Sequence, residues 1–296
     1  MFLLASIVIG VMSTSVLAGE LLSKQDGIEK PETHIEQPLF LAAKDSVSGS
    51  TSKAPATMGG CCFSPYSTLF VGASYSYVCL KPTDLPQYSG NLWGALAGYQ
   101  YRKQDGLYVA LKGLWRQGDT SGKSGQNYLH ECKAEERVGY DFSFGPFQRG
   151  SAALYMGFGY RFMEQELQQP ALPNVSLAYN NFYVPIGTSI DYAIPFQNSC
   201  LSLGICATWM PQVYPTVNII PLGGARWILE YELVNGIVEI PVTFSYCNSF
   251  SVTLRPVFEY WKDGATVAVG SLCDALGLPA SSYLFGSVNL EVGWRF

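Results

Sequence analysis

From residue 67 to the end, this chain repeatedly alternates apolar side chains with small or polar ones. That two-residue period belongs to strands whose two faces meet different surroundings. In "LYVALKGLWRQ", Leu107, Val109, Leu111 and Trp115 share one face, while Tyr108, Ala110, Lys112 and Arg116 share the other. The closing "YLFGSVNLEVGWRF" sets Leu284, Val288, Leu290, Val292, Trp294 and Phe296 against Ser287, Asn289, Glu291 and Arg295. The pattern predicts ten strands, over residues 67–79, 91–102, 106–117, 133–144, 151–163, 181–194, 199–210, 235–246, 250–262 and 283–296. Four connections are tight turns, "KQDG", "GPFQRG", "PFQN" and "CNS". They carry the Gly, Pro, Asn and Asp that let a chain reverse. Longer segments such as "GDTSGKSGQNYLHE" fall between them and read as loops, so short and long connections alternate.

These features together specify a fold class: all-β, a closed antiparallel transmembrane β-barrel of about ten strands behind a flexible N-terminal leader. Strands of roughly ten residues suffice to cross a bilayer. Closure leaves no backbone group unpaired in lipid. Charged residues make up 14% of the chain, low for a water-soluble surface, and aromatics another 14%. Tracing the strands alternately up and down collects Tyr75, Tyr77, Trp93, Trp115, Tyr160, Phe162, Phe182, Trp209, Phe258 and Tyr260 at one rim. Tyr99, Tyr101, Phe142, Phe144, Tyr192, Phe244, Tyr246, Trp294 and Phe296 collect at the other. Paired aromatic belts are what the two membrane interfaces select. A soluble β-sandwich is the competing reading, since it also alternates. It would bury Val, Ile and Leu without needing aromatics at its strand ends.

Residues 1–18, "MFLLASIVIGVMSTSVLA", read as a secretory signal peptide with a small-residue cleavage site after Ala18. Residues 19–62 have no sustained period and read as a flexible periplasmic leader, which leaves 63–296 for the barrel. A net charge of -5 argues against nucleic acid as a partner.

In architecture over residues 67–296, and in its final "VNLEVGWRF", the chain resembles the bacterial outer-membrane β-barrel proteins of the small ten-stranded type. The resemblance implies a place in the outer membrane with both termini periplasmic. It also implies lipid and the barrel-insertion machinery as partners, with Trp294 and Phe296 forming the C-terminal insertion signal. The five long loops would then face outward, where a host or surface ligand can be bound.

The opposite parity gives the barrel interior: Arg102, Lys112, Arg116, Lys133, Glu135, Arg137, Asp141, Arg161, Asp191, Glu239, Arg255, Glu259, Glu291 and Arg295. Charges of both signs in a confined space are expected to pair into a lumen network, because an unpaired one is costly to desolvate. Ten strands give a bore that side chains nearly fill, whereas aqueous channels belong to barrels of about 16 to 18 strands. No catalytic, cofactor or metal site emerges. The one histidine outside the leader is His130, flanked by Glu131, with Asp119 at the other end of the same outer segment and Asp274 in another. No G-x-S-x-G is present, and the Cys61-Cys62 pair lacks zinc-ligand spacing. Eight cysteines in an exported chain are compatible with disulfides. Cys79, Cys132 and Cys273 fall toward the outer side, and Cys206 points inward. Cys61, Cys62, Cys200 and Cys247 fall at the periplasmic rim, where they could pair with one another or with another envelope protein. In that respect the chain is similar to the cysteine-containing chlamydial type of envelope protein. The expected function is therefore a non-enzymatic structural or surface-binding (adhesin-like) barrel. A narrow porin-like solute pore is the alternative, and an enzyme at the rim a more distant one.

Overall fold

The computed structural model describes residues 66–123, 125–145, 149–168, 175–220, 225–246, 249–267 and 277–296. The signal-peptide and leader readings, with Cys61, Cys62, Cys247 and Cys273, lie outside them. Fourteen strands are formed: β1 (Tyr66–Pro82), β2 (Tyr88–Arg102), β3 (Gly106–Gly122), β4 (Gly125–Phe144), β5 (Gly150–Gln168), β6 (Val175–Tyr183), β7 (Ile186–Pro195), β8 (Ser199–Trp209), β9 (Gln212–Ile219), β10 (Ala225–Ile228), β11 (Gly236–Glu239), β12 (Val242–Tyr246), β13 (Phe250–Asp263) and β14 (Ser281–Arg295).

All pairings are antiparallel, and they close on themselves into a barrel of ten staves. From β1 through β5 each strand pairs with the next. β5 then pairs with β6 over its outer half and β7 over its inner half. β6 pairs with β9 and β7 with β8, while β8 continues to β11 and β12. Both of these pair with β13, β13 with β14, and β14 with β1 along Thr68↔Arg295 to Pro82↔Ser281. The last strand therefore closes against the first, and Ser67 and Phe296 exchange backbone hydrogen bonds at 3.1 and 3.0 Å.

Three staves are broken at proline. The stretch expected as one strand over 181–194 splits into β6 and β7 around Pro185, and that over 235–246 splits into β11 and β12 around Pro241. Pro211 separates β8 from β9. Proline has no N–H to give to the ladder, so pairing restarts beyond it.

The turns expected at 103–106 and 195–198 join β2 to β3 and β7 to β8, whereas those at 145–150 and 247–249 lie partly outside the described residues. Asp105 takes a left-handed φ of 47°, and its backbone oxygen and carboxylate accept from Tyr140 Oη and Ser143 N, both at 2.8 Å. The outer connections differ from expectation. "GDTSGKSGQNYLHE", read as a loop, is instead the end of a hairpin in which β3 runs to Gly122 and β4 starts at Gly125. β5 and β6 likewise extend to Gln168 and back from Val175. In these extensions the pattern inverts. Leu129, Met163, Leu177, Tyr179, Val217 and Ile219 point inward and are buried. Asp119, Ser121 and Gln126 are exposed outside. Below the inversion the outward face is apolar, with Leu69, Val138, Leu154, Met156, Ile205, Leu254 and Leu290 all exposed.

Candidate functional site

The inward parity places charged side chains at three successive heights of the bore. At the inner mouth, Arg102 binds Asp141 through Nε and Asp191 through Nη1 at 2.6 Å. In the next tier, Glu239 accepts from Lys112 Nζ at 2.6 Å and from Arg255 at 3.1 Å, and Arg255 also pairs with Glu291 at 2.7 Å. Arg137 pairs there with Glu135, whose other oxygen accepts from Tyr183 Oη at 2.9 Å. In the outermost tier Glu131 is shared, one oxygen going to Arg116 and the other to Arg161 at 2.6 Å. Glu259 bridges Arg116 at 3.1 Å and Lys133 at 2.9 Å, and Asp263 lies 3.7 Å from Arg161. Lys112, Arg137 and Arg255 face Glu135, Glu239 and Glu291 in the middle tier. Arg116, Lys133 and Arg161 face Glu131, Glu259 and Asp263 in the outer one. Each of these two tiers is thus electrically neutral. Arg116 and Glu131 are each 1% exposed and Arg161 not at all. At such depth only neutral, fully paired clusters are tolerable.

Aromatic rings complete the outer tier. Phe285 lies 3.7 Å beneath the Arg116 guanidinium, and Trp261 and Tyr283 sit 4.6 and 5.2 Å from that of Arg161. Cations over ring faces gain from the ring quadrupole, most of all when dehydrated. Trp261 donates Nε1 to Asp263 at 2.8 Å and meets Tyr183 edge-on at 5.4 Å, while Gln165 donates to Tyr283 Oη at 2.5 Å. Gly159 on β5 makes this possible, since a Cβ there would come within 2.1 Å of the Tyr183 ring. Above the rings an apolar core of Val78, Leu80, Leu92, Leu129, Val217 and Leu229 continues into the outer extension. The bore is closed.

Among the described residues, cavities lie on the inner side of this closure. A vestibule of about 130 Å³ is lined by Arg102, Arg137, Arg255, Asp141, Asp191 and Glu239 among others, and a chamber of about 30 Å³ lies between the middle and outer tiers. The larger holds several waters and the smaller one or two.

Of the residues expected in the lumen network, Arg295 stands apart. It lines the vestibule with its guanidinium 4.4 Å from the Tyr66 ring, its buried Nε has no hydrogen-bond partner, and it makes no ion pair among the described residues. Glu131 and Asp263 belong to the network and were not expected there. Their parity with Lys133 and Glu259 is the signal that would have placed them. His130 is on the outer wall, its Nε2 accepting from Trp115 Nε1 at 2.7 Å and lying 3.8 Å from Cys132 Sγ. Cys79, Cys132 and Cys206 are free thiols, and Cys206 Sγ lies 2.9 Å from Tyr155 Oη. Cys200 is buried beside Ala193. Trp294 and Phe296 are outward and exposed at the inner rim, where Trp294 packs edge-on to Phe250.

No family model and no curated protein matches the chain. Several solved outer-membrane barrel structures do. The outer membrane protease OmpT from Escherichia coli matches at 8% identity and a TM-score of 0.48, over 83% of this chain and 100% of that chain. The translocator domain of the autotransporter NalP from Neisseria meningitidis matches at 10% and 0.43, over 78% and 88%. Ail, the attachment invasion locus protein of Yersinia pestis, matches at 11% and 0.35, over 79% and 100%. The likeness is one of fold alone, and the closed ten-stave barrel stands on this chain's own strand register.

Proposed function

We propose that this chain is a non-enzymatic outer-membrane barrel that serves as a structural or surface-binding element and does not conduct. Its exposed apolar outer face, ending in Tyr140, Phe142, Phe144, Phe244, Tyr246 and Trp294 at the inner rim, suits a bilayer. Both ends of the described barrel lie at that rim, which supports periplasmic termini. The observation that carries the non-conducting reading is the closure of the bore. The Arg116–Glu131–Arg161 cluster, packed among Phe285, Trp261 and Tyr283 and backed by the apolar core, fills the bore outward of the vestibule among the described residues, which supports a barrel that does not conduct. What the protein offers the exterior is instead the hairpin extension, with Asp119, Tyr128, Glu164 and Glu166 on one outer wall. Extended strands on a rigid barrel are a suitable mount for binding a surface ligand or another envelope protein.

Purified protein in planar bilayers should show no stable openings at 100 mV in 1 M KCl. Regular unitary steps would replace this reading with the narrow-pore one. The lipid-facing assignment makes a separate prediction. Leu290 lies midway along the outward face of β14. Leu290→Arg should therefore cost about 2–4 kcal/mol when unfolding is measured from lipid vesicles. A cost below about 0.5 kcal/mol, the usual surface effect, would mean that this face meets water. Disulfide coupling to the envelope through Cys61, Cys62, Cys200 or Cys247 is part of the proposal. It requires larger species that collapse on reduction when outer membranes are run on a non-reducing gel.

A further inference from the structure

The small chamber between the two buried tiers is lined unevenly. β3 and β4 bring Lys112, Arg116, Lys133 and Arg137 to its wall, against the carboxylates of Glu135, Glu239 and Glu259. All six oxygens of those carboxylates already accept a hydrogen bond or ion pair: from Arg137 and Tyr183 at Glu135, from Lys112 and Arg255 at Glu239, from Lys133 and Arg116 at Glu259. The donors are not used up. An ammonium has three N–H groups. Lys112 Nζ gives one to Glu239, and Lys133 Nζ gives one to Glu259 and one to Met210 Sδ at 3.6 Å. The fourth cation of the wall, Arg116, is balanced by Glu131 from just behind it, so the donors left over belong to side chains whose charge is already met. Facing each other across β1 and β14 on the same wall are Ser74 and Asn289, 3% and 4% exposed. Ser74 Oγ and Asn289 Oδ1 are both buried without a hydrogen-bond partner. A buried polar group left unmade is costly, and native proteins fill such places with water or an ion.

We propose that this chamber binds one halide-sized monovalent anion, held by Lys112, Lys133, Arg116 and Arg137, with the Ser74 hydroxyl donating to it. The ammonium N–H groups of Lys112 and Lys133 left over from their ion pairs and the unpartnered Ser74 hydroxyl are donors without an acceptor, which an anion supplies, and a half-turn of the Asn289 amide adds another N–H. A chamber of about 30 Å³, room for one or two waters, accommodates a single monatomic anion such as chloride or bromide. Entry is from the inner side, because Arg137 and Glu239 line both the chamber and the vestibule. The anion lies inside the closure, so the inference stands apart from whether the barrel binds a surface ligand.

The test uses the full chain folded in a neutral detergent at constant ionic strength, with sodium gluconate replaced stepwise by chloride or bromide from 1 to 100 mM. An anion that binds only the folded state raises the unfolding midpoint, followed by near-ultraviolet circular dichroism, by about 5 °C over that range. Lys112→Met should lose most of that rise while remaining folded. Asn289→Leu, which fills the chamber without touching an ion pair, serves in its place if Lys112→Met does not fold. Bromide should also give an anomalous scattering peak in the chamber of a crystal. An equal midpoint in gluconate and chloride, or a rise of the same size in a folded variant, overturns the proposal and leaves the chamber to water.

Discussion

Replacing Glu131 with alanine is expected to destabilise the barrel by about 3–5 kcal/mol, the range for removing one partner from a buried ion cluster. One carboxylate serves two guanidiniums here. Without it the one carboxylate left to Arg116 is Glu259, at 3.1 Å, and the one left to Arg161 is Asp263, at 3.7 Å, beside the neutral contacts of Arg116 to Ser76 and Ser287 and of Arg161 to Met163. Neither arginine can reach water, since both are at most 1% exposed. The loss therefore leaves excess positive charge in a low-dielectric space, and its size reflects that penalty more than the worth of the pairs themselves. Glu131→Gln keeps the shape and one carbonyl acceptor and should cost markedly less. Denaturant unfolding in micelles reads both variants. A cost below about 1 kcal/mol for the alanine variant would show that the carboxylate is not shared as described.

Trp261→Ala should cost a comparable 3–5 kcal/mol, for a different reason. Trp261 is wholly buried, lies beneath Arg161, meets Tyr183 edge-on and donates to Asp263. Truncation removes apolar burial and a ring face together, and it frees an Asp263 oxygen that still accepts from Asn181 at 2.8 Å and Gln212 at 3.2 Å. The variant should stay non-conducting, because Phe285, Tyr283 and the apolar core remain above and beside the gap. Channel openings in this variant alone would identify Trp261 as the side chain that closes the bore. Retention of wild-type stability would contradict the packing.

The membrane half of the barrel is legible from parity. On β14, Leu290 faces out and Glu291 in, and on β3 Trp115 faces out and Arg116 in, as their residue types demand. Lipid outside and charge inside make the two faces chemically distinct, so a two-residue period stands out. The outer half is harder to read because the surroundings change sign. In "QNYLHE" the outward residues Gln126, Tyr128 and His130 meet water and the inward Asn127, Leu129 and Glu131 meet one another, and the segment has the composition of a loop. Pairing with the neighbouring β5, Leu129 to Gln165 and Glu131 to Met163, makes it a strand, and those partners are more than thirty residues away in sequence. The same applies to the closure. Individual charges were expected inside, but Glu131 and Asp263 lie past the assigned strand ends. That Trp261, Tyr183, Tyr283 and Phe285 converge on Arg116 and Arg161 depends on the stagger of five strands, β3, β5, β6, β13 and β14.

Heat modifiability tests the membrane-barrel account most directly. The protein is recovered from the outer-membrane fraction and run on a denaturing gel with and without boiling. A closed barrel held together by continuous strand pairing resists detergent until heated, so the unboiled protein should migrate faster than the boiled one. Recovery in the soluble periplasmic fraction, with a mobility that ignores heating, would contradict the account and return the chain to the soluble-sandwich reading.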